Sequence, residues 1–342
     1  MTGAFTTGAP MMAAMQRRYG GPDVITVGPA PVPPPGPREV LLRVHASALN
    51  PADVFMMTGK PGLVRLTGGL TRPRQGVRGS DVAGEVVAVG AQASPWAVGD
   101  RVFGEGVGTL AEFAPARADR LAALPPAVPA RDGAATVMAG LAALHALRHA
   151  GLEALGETGA PATGSRVLVI GAAGGIGSFA VQLAARGGSD VTGVCSASGA
   201  DAVMGLGAQR TVDYATEDVL ALDGPFDLIL DNVGAVPMLA LERLVAPGGT
   251  LIPNAGIDGA DGGALARVAK AAWHGKVRRR RISTFYSAPN AKDLALLAQC
   301  VADGRLTPLV DSTWPLAQAS AALQRVAAGH AHGKVIVTPS AP

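Results

Sequence analysis

The stretch Arg166–Gly177, RVLVIGAAGGIG, decides the reading of this chain. Four aliphatic residues, Val167 to Ile170, run without a break into a turn built of glycine and alanine. Behind it, GSFAVQLAARGG (177–188) has the apolar spacing of a helix and closes on a glycine pair. From Ala172 the turn reads A-x-G-x-x-G, a variant of the fingerprint that binds a dinucleotide diphosphate. Small residues let the backbone turn tightly and approach a pyrophosphate, while the unpaired N–H groups of the following helix aim at the anion. Ala172, Gly174, Gly175, Ile176 and Gly177 are therefore candidate cofactor-binding residues. A glycine-rich connector with no ligand looks the same in isolation, so the surroundings have to separate the two.

Downstream the pattern repeats: DVTGVC (190–195), DAVMGLGA (201–208), RTVDY (210–214), TEDVLAL (216–222), FDLILD (226–231), PMLALERLVAPGG (237–249), TLIPNAG (250–256) and the helix-like ALARVAKAAWHGK (264–276). Strands interleaved with helices predict parallel βαβ units with right-handed crossovers, hence an α/β fold with a Rossmann-type doubly wound sheet. Upstream, VITVG (24–28), EVLLRVHASAL (39–49), VAGEVVAVG (82–90) and DRVFGEG (100–106) are short β-rich runs punctuated by Gly and Pro. Beyond Tyr286 the helical runs 291–304 and 316–329 and the strand KVIVTP carry no phosphate-type turn, which suits a return to the first domain. The expected division is a flexible tail over 1–11, a β-rich domain over 12–134 completed by 286–342, and a dinucleotide-binding domain over 135–285.

Composition narrows the function classes. A length of 342 residues suits two hydrophobic cores. A net charge of +3 with one dense basic run, Lys276 and Arg278 to Arg281, favours a solvated helix end over a nucleic-acid partner. No run approaches the roughly 18 apolar residues of a membrane helix, so no membrane partner is expected. The first ten residues lack a signal-peptide pattern, and two cysteines cannot build a disulfide framework. A reduced, cytoplasmic setting is expected.

At the carboxyl edge of the second strand, Cys195-Ser196-Ala197-Ser198 has no acid to hold both ribose hydroxyls of NAD. Ser196 and Ser198 can donate to a 2′-phosphate, or stand in an ordinary exposed turn. NADPH is the favoured cofactor, with NADH left open. Asn232, Val233 and Gly234 follow a later strand, and Asn254 and Gly256 the next, at the edge where such sheets bind ligand.

With GSDVAGEVVAVG (79–90), VGDRVFG (98–104), VIGAAGGIGSFAVQLA (169–184), LGAQRTVDY (206–214), LDNVG (230–234) and GKVIV (333–337) in order, the chain resembles the medium-chain dehydrogenase/reductase superfamily. It looks most like the quinone oxidoreductase branch, from about Met12 to Val337. The resemblance implies a GroES-like catalytic domain made from both chain ends, a Rossmann-type domain between them, a small-molecule substrate and a homodimer.

Zinc-bearing members place His and Glu in a G-H-E segment where this chain has Gly79-Ser80-Asp81, and a Cys in the region of Ala48 to Asp53. No metal is expected, and His145 and His149, spaced i,i+4, lack a third ligand. ALNPADVFMMTG (48–59) resembles the family's substrate segment N-x-x-D-x-Y. Asn50 matches the Asn near nicotinamide and the substrate carbonyl; it equally reads as the N-cap of a helix with Pro51 at N1 and Asp53 at N3. Phe55 replaces a Tyr found in several relatives. Phe55, Met56 and Met57 offer an apolar wall, or simply core. Phe285 and Tyr286 are further candidates for the nicotinamide mouth, Tyr286 as an aromatic hydroxyl. Tyr214 matches a position near the 2′-phosphate. Lys334 matches the terminal G-K-V segment, where a cofactor contact and a surface role both fit.

Without a metal, an isolated ketone is a poor hydride acceptor, because the alkoxide charge is localised. A quinone or an α,β-unsaturated carbonyl spreads that charge and needs one hydrogen bond at oxygen. An NADPH-dependent reductase of such substrates is expected. The alternatives are a dedicated biosynthetic enoyl reductase or a cofactor-binding sensor without turnover.

Overall fold

The computed structural model describes residues 7–152, 154, 164–254, 261–277 and 281–339. Two compact units emerge, Met1–Leu141 with Ala288–Pro342, and Ala142–Ser287.

In the first unit β1 (Pro10–Gln16) and β2 (Ile25–Pro31) form an antiparallel pair. Then come β3 (Glu39–Leu49), α1 (Pro51–Thr58), α2 (Val64–Gly68), β4 (Asp81–Val89), β5 (Arg101–Gly106), β6 (Phe113–Ala123) and α3 (Ala130–His149). Strands β3 to β6 pair antiparallel in sequence order, and β6 returns to β3, closing the sheet on itself. Val40, Leu42 and Val44 of β3 pack on Val82, Val86, Val102 and Leu121, while Leu41 faces Met11, Ala13, Val32 and Ala111. Both faces of β3 are covered, which is why EVLLRV runs apolar without clean alternation.

The division between the units falls inside α3, seven residues beyond the boundary expected at 134. The flexible tail expected over 1–11 needs correction: β1 starts at Pro10, Met11 is buried, and the Gly8 N–H donates to Val32 O at 3.0 Å. Residues 1–6 lie outside the described ones.

The second unit contains β7 (Arg166–Ile170), α4 (Gly175–Arg186), β8 (Asp190–Cys195), α5 (Ala200–Gly205), β9 (Arg210–Asp213), β10 (Phe226–Asp231), α6 (Met238–Leu241), β11 (Val245–Pro253) and α7 (Gly263–Lys276). Its sheet is wholly parallel in the order β11-β10-β7-β8-β9, the doubly wound arrangement. TEDVLAL is no helix but a single 3-10 turn at Val219–Ala221, since cap Asp218 and the Gly224-Pro225 break leave too few apolar positions for a helical face. Strand β11 begins at Val245, five residues earlier than TLIPNAG suggests, and its register against β10 shifts around Pro247-Gly248-Gly249.

The chain ends with α8 (Ala291–Ala302), β12 (Val310–Pro315), α9 (Ala319–Ala327) and β13 (Lys334–Thr338). Strand β13 pairs antiparallel with the end of β3, Val335 opposite Leu49, while Asp81 at the start of β4 lies opposite Ala48. Three distant segments thus converge at the end of β3. Among the described residues no helix is long and apolar enough to cross a membrane.

Candidate active site

The glycine turn is held from below and open in front. Gly171 sits at φ +77°, and the N–H groups of Gly171 and Ala172 donate to Val194 O of β8 at 3.0 and 2.9 Å. A Cβ on Gly177 would stand 2.1 Å from Gly171 O and 2.8 Å from Ala172 Cα, so only glycine lets α4 close onto the turn. At Gly174 a Cβ would meet only Gly171 O, at 3.3 Å. Nothing in the fold requires glycine there; the open side is what an approaching diphosphate needs. Gly174 caps α4 with no side-chain bond, leaving the first N–H groups of the helix for a ligand. These residues fit a dinucleotide. Ala172, fully buried beside Gly193, serves the packing of the turn, while Gly175 and Ile176 are half-buried.

Other candidates lie along the same carboxyl edge. Ser196 and Ser198 pair at 3.0 Å, and the N–H of Tyr214 bonds Cys195 O at 3.3 Å, which brings the end of β9 beside them. Tyr214 is exposed. Asn232 donates its amide to Ile170 O at 3.3 Å and accepts from Asn254 Nδ2 at 3.0 Å, so both asparagines sit above β7, β10 and β11. Gly256 lies outside the described residues.

The Asn232–Gly234 loop has a support that the sequence did not single out. Asp231, fully buried at the end of β10, accepts from the N–H groups of Val233 (3.0 Å) and Gly234 (2.9 Å). Buried Arg267 of α7 pairs with Asp231, and also donates to Gly234 O (3.2 Å) and Asp261 (3.1 Å). One guanidinium therefore holds this loop and reaches the start of α7. The available signal was a lone acid closing the apolar strand FDLILD, and a lone Arg within an Ala-rich helix.

In the first unit, Asn50 leads a buried polar cluster. It is the N-cap of α1 and closes a capping box with Asp53, whose carboxylate accepts the Asn50 N–H at 2.8 Å. Its amide also reaches across the unit: Asn50 Nδ2 donates to Asp81 Oδ2 at 2.9 Å, and Asn50 Oδ1 accepts from Lys334 Nζ. Lys334 lies 3.5 Å from the same Asp81 oxygen, which also accepts the Met138 N–H at 3.3 Å. Burial pushes Asp53 up to about 6, against the Asn50 N–H that favours its carboxylate. It also raises Asp81 and lowers Lys334, and in that pair each charge stabilises the other.

Comparisons with known proteins bear on the same segments. A family model described as alcohol dehydrogenase GroES-like domain matches residues 36–181, and one described as zinc-binding dehydrogenase matches 206–337. The chain is 33% identical over 323 residues to the chloroplast envelope quinone oxidoreductase homolog of Arabidopsis thaliana, covering 90% of this chain and 92% of that protein. This chain belongs to the medium-chain dehydrogenase/reductase superfamily, in its quinone oxidoreductase-like branch. The trans-enoyl reductase pgmF of Aspergillus terreus is 32% identical, over 88% of this chain and 86% of its own. The structure of mycobacterial Rv1454c complexed with NADPH superposes with a TM-score of 0.78 at 26% identity, covering 96% of this chain and 100% of that one. An oxidoreductase dependent on a nicotinamide cofactor follows.

For this quinone oxidoreductase-like chain several expected residues stand elsewhere. Lys334 is 3% exposed with its amine on Asn50 and Asp81, so it is not a surface residue. Met57 is not part of a pocket wall: it is fully buried in a core cluster with Val54, Leu49 and Leu323, because α1 turns it inward. Phe55 and Met56 are half-buried. Tyr286 is 86% exposed, and Phe285 stacks on His149 with ring centroids 5.8 Å apart. The i,i+4 histidines are paired with serines, His145 with Ser287 at 2.8 Å and His149 with Ser283 at 2.7 Å. Among the described residues no group of three or more His, Cys, Asp or Glu is placed to hold a metal ion.

Proposed function

We propose that the chain is an NADPH-dependent reductase of quinones or α,β-unsaturated carbonyl compounds that works without zinc. The observation that carries this reading is the donor set at the zinc-ligand positions of metal-bearing relatives. Here those stretches supply an amide and a carboxylate, Asn50 Nδ2 on Asp81 at 2.9 Å, with the Lys334 ammonium of the terminal strand set against both. A buried ammonium beside these two groups repels a divalent cation, and the set suits a substrate whose oxygen needs only a hydrogen bond.

NADPH, when bound, supplies the hydride. Gly174 to Gly177 would receive the diphosphate, and Ser196, Ser198 and Tyr214 would meet a 2′-phosphate at the end of β8, a strand end that carries no acid of its own. The hydride would add to the alkene carbon β to the carbonyl of an enone, or to the conjugated system of a quinone, so that the charge is delocalised onto oxygen. The negative charge that builds on oxygen is met by Asn50, and solvent returns the proton. NADH fits the same turn with weaker retention. Identity to a trans-enoyl reductase supports the enoyl end of the substrate range. Cys195 and Cys300, both buried and in no disulfide, suit a reduced cytoplasm, and a homodimer is the assembly we assign.

Separate titrations with NADPH and NADH, then a panel of quinones and enones with and without EDTA, test the proposal. The expected result is tighter NADPH binding, oxidation of NADPH by at least one acceptor, and no effect of the chelator. Cofactor binding with no turnover across the panel would favour the sensor. Activity lost to EDTA and restored by zinc would overturn the metal-free mechanism.

A further inference from the structure

Lys334 stands where three segments of the first unit meet, and the positions of its two partners are informative. In zinc-bearing members of the superfamily the stretches matching 48–53 and 79–81 supply metal ligands; in this chain they supply Asn50 and Asp81, and both touch the Lys334 amine. The charge arrangement dictates how the Asn50 amide lies. An ammonium can only donate and a carboxylate only accept, so Oδ1 must face Lys334 and Nδ2 must face Asp81. Flipping the amide would set oxygen against carboxylate and NH2 against ammonium. One Nδ2 hydrogen is used by Asp81; the other has no partner among the described residues, although Asn50 is buried. Buried N–H groups are rarely left unpaired, so this hydrogen is available to a ligand or to a water that a ligand displaces.

We propose that Lys334 is a positioning residue that does the work of the missing cation through Asn50. Its ammonium fixes and polarises the amide, so that the remaining Nδ2 hydrogen donates to the substrate oxygen as charge builds there. The inference rests on the reductase reading above. The competing role is a plain staple joining β3, β4 and β13.

The test uses the full chain, whose only asparagines are Asn50, Asn232, Asn254 and Asn290, labelled with nitrogen-15 at asparagine. Lys334→Met leaves the Asp81 carboxylate buried without its countercharge and so endangers the fold. The double variant Asp81→Asn/Lys334→Met removes both charges at similar volume, an exchange that proteins commonly tolerate. The expected result for the folded double variant is a kcat about a hundredfold lower, the scale of losing one oriented oxyanion donor, with NADPH affinity within about threefold of the parent. Titrating an enone into the NADP+ complex should shift one hydrogen of the Asn50 side-chain pair in the parent and not in the variant. A double variant with kcat within about threefold of the parent reduces Lys334 to a staple and overturns the proposal. If the parent binds NADPH and reduces nothing, the reductase reading fails separately. The resonance still decides: a shift in the parent alone supports the lysine's role, while equal shifts in both proteins, or none in either, reject it.

Discussion

The glycine turn and the Asn50 cluster are two ways of building a polar site. The turn is contiguous, contains no charged side chain, and recognises through backbone N–H groups left over where α4 begins. The cluster draws Asn50, Asp53, Asp81 and Lys334 from three segments and recognises, in our reading, through one amide held between opposite charges. Backbone donors are in place once the chain has turned and need only space in front of them. A side-chain donor has to be held, and the holding groups are themselves costly to bury. The turn should therefore fail by obstruction, and the cluster by loss of charge balance.

The sharpest break lies within the turn, between two glycines three residues apart. Gly177→Val pushes carbon into Gly171 O, where even a Cβ would stand at 2.1 Å, and α4 cannot close. A destabilisation of about 3 kcal/mol or more is expected, read as a large fall in melting temperature or as insoluble protein. Gly174 has φ −78° and ψ 177°, extended backbone that any residue adopts, and its Cβ has room. Gly174→Val should cost about 1 kcal/mol for a poorer cap yet weaken NADPH binding at least about a hundredfold, because the side chain fills the diphosphate's approach. A fluorescence titration with unchanged affinity in that variant would remove the turn from the site.

That contrast also explains what the sequence makes legible. The α/β unit is readable because strand, turn and helix are adjacent in RVLVIGAAGGIGSFAVQLA, and each obeys a local rule. TEDVLAL misleads because a 3-10 turn and a short helix share the same few apolar residues. Lys334 is opaque for a different reason. Hydropathy puts a lysine at the surface, and only the pairing of β13 with β3, 284 residues away in sequence from the Asn50 contact, buries it beside Asp81. Met57 and Met56 are neighbours with opposite fates, core and half-buried, and an eight-residue helix gives too little periodicity to say which faces in. Asp231 and Arg267 likewise meet only once α7 packs against β11 and its arginine reaches the end of β10.

The cluster has its own break, through pH. Asp53 titrates near 6 in the fold against 3.8 for an exposed group, because burial disfavours its charge. A carboxyl with a raised folded pKa binds its proton more tightly in the native state, so its contribution to stability is greatest below about pH 4 and is lost as pH rises through 6. The interval of roughly two units corresponds to about 3 kcal/mol. Asp53→Asn keeps an acceptor for the Asn50 N–H and removes the titration; Asp81, Lys334 and Arg78, the other charges near it, are unchanged. The stability of the variant relative to the parent should rise by about that amount between pH 4 and pH 7 in denaturant melts. Parallel curves for the two proteins would show that Asp53 is not strained by its burial.

The smallest effect belongs to the exposed edge of the second unit. Ser198 is exposed after β8 and shares a 3.0 Å hydrogen bond with Ser196, so a 2′-phosphate there remains largely hydrated. Ser198→Ala should weaken NADPH binding about three- to tenfold, the scale of one hydrogen bond to a charged group in contact with solvent, and leave NADH unchanged. Ser198→Asp should reverse the order of the two cofactors, by repelling the phosphate while offering the ribose hydroxyls an acceptor. The ratio of the two dissociation constants is the measurement, because it cancels any general weakening of the turn. A ratio that stays constant through both substitutions would move the source of cofactor preference away from β8, with exposed Tyr214 at the end of β9 the next residue to change.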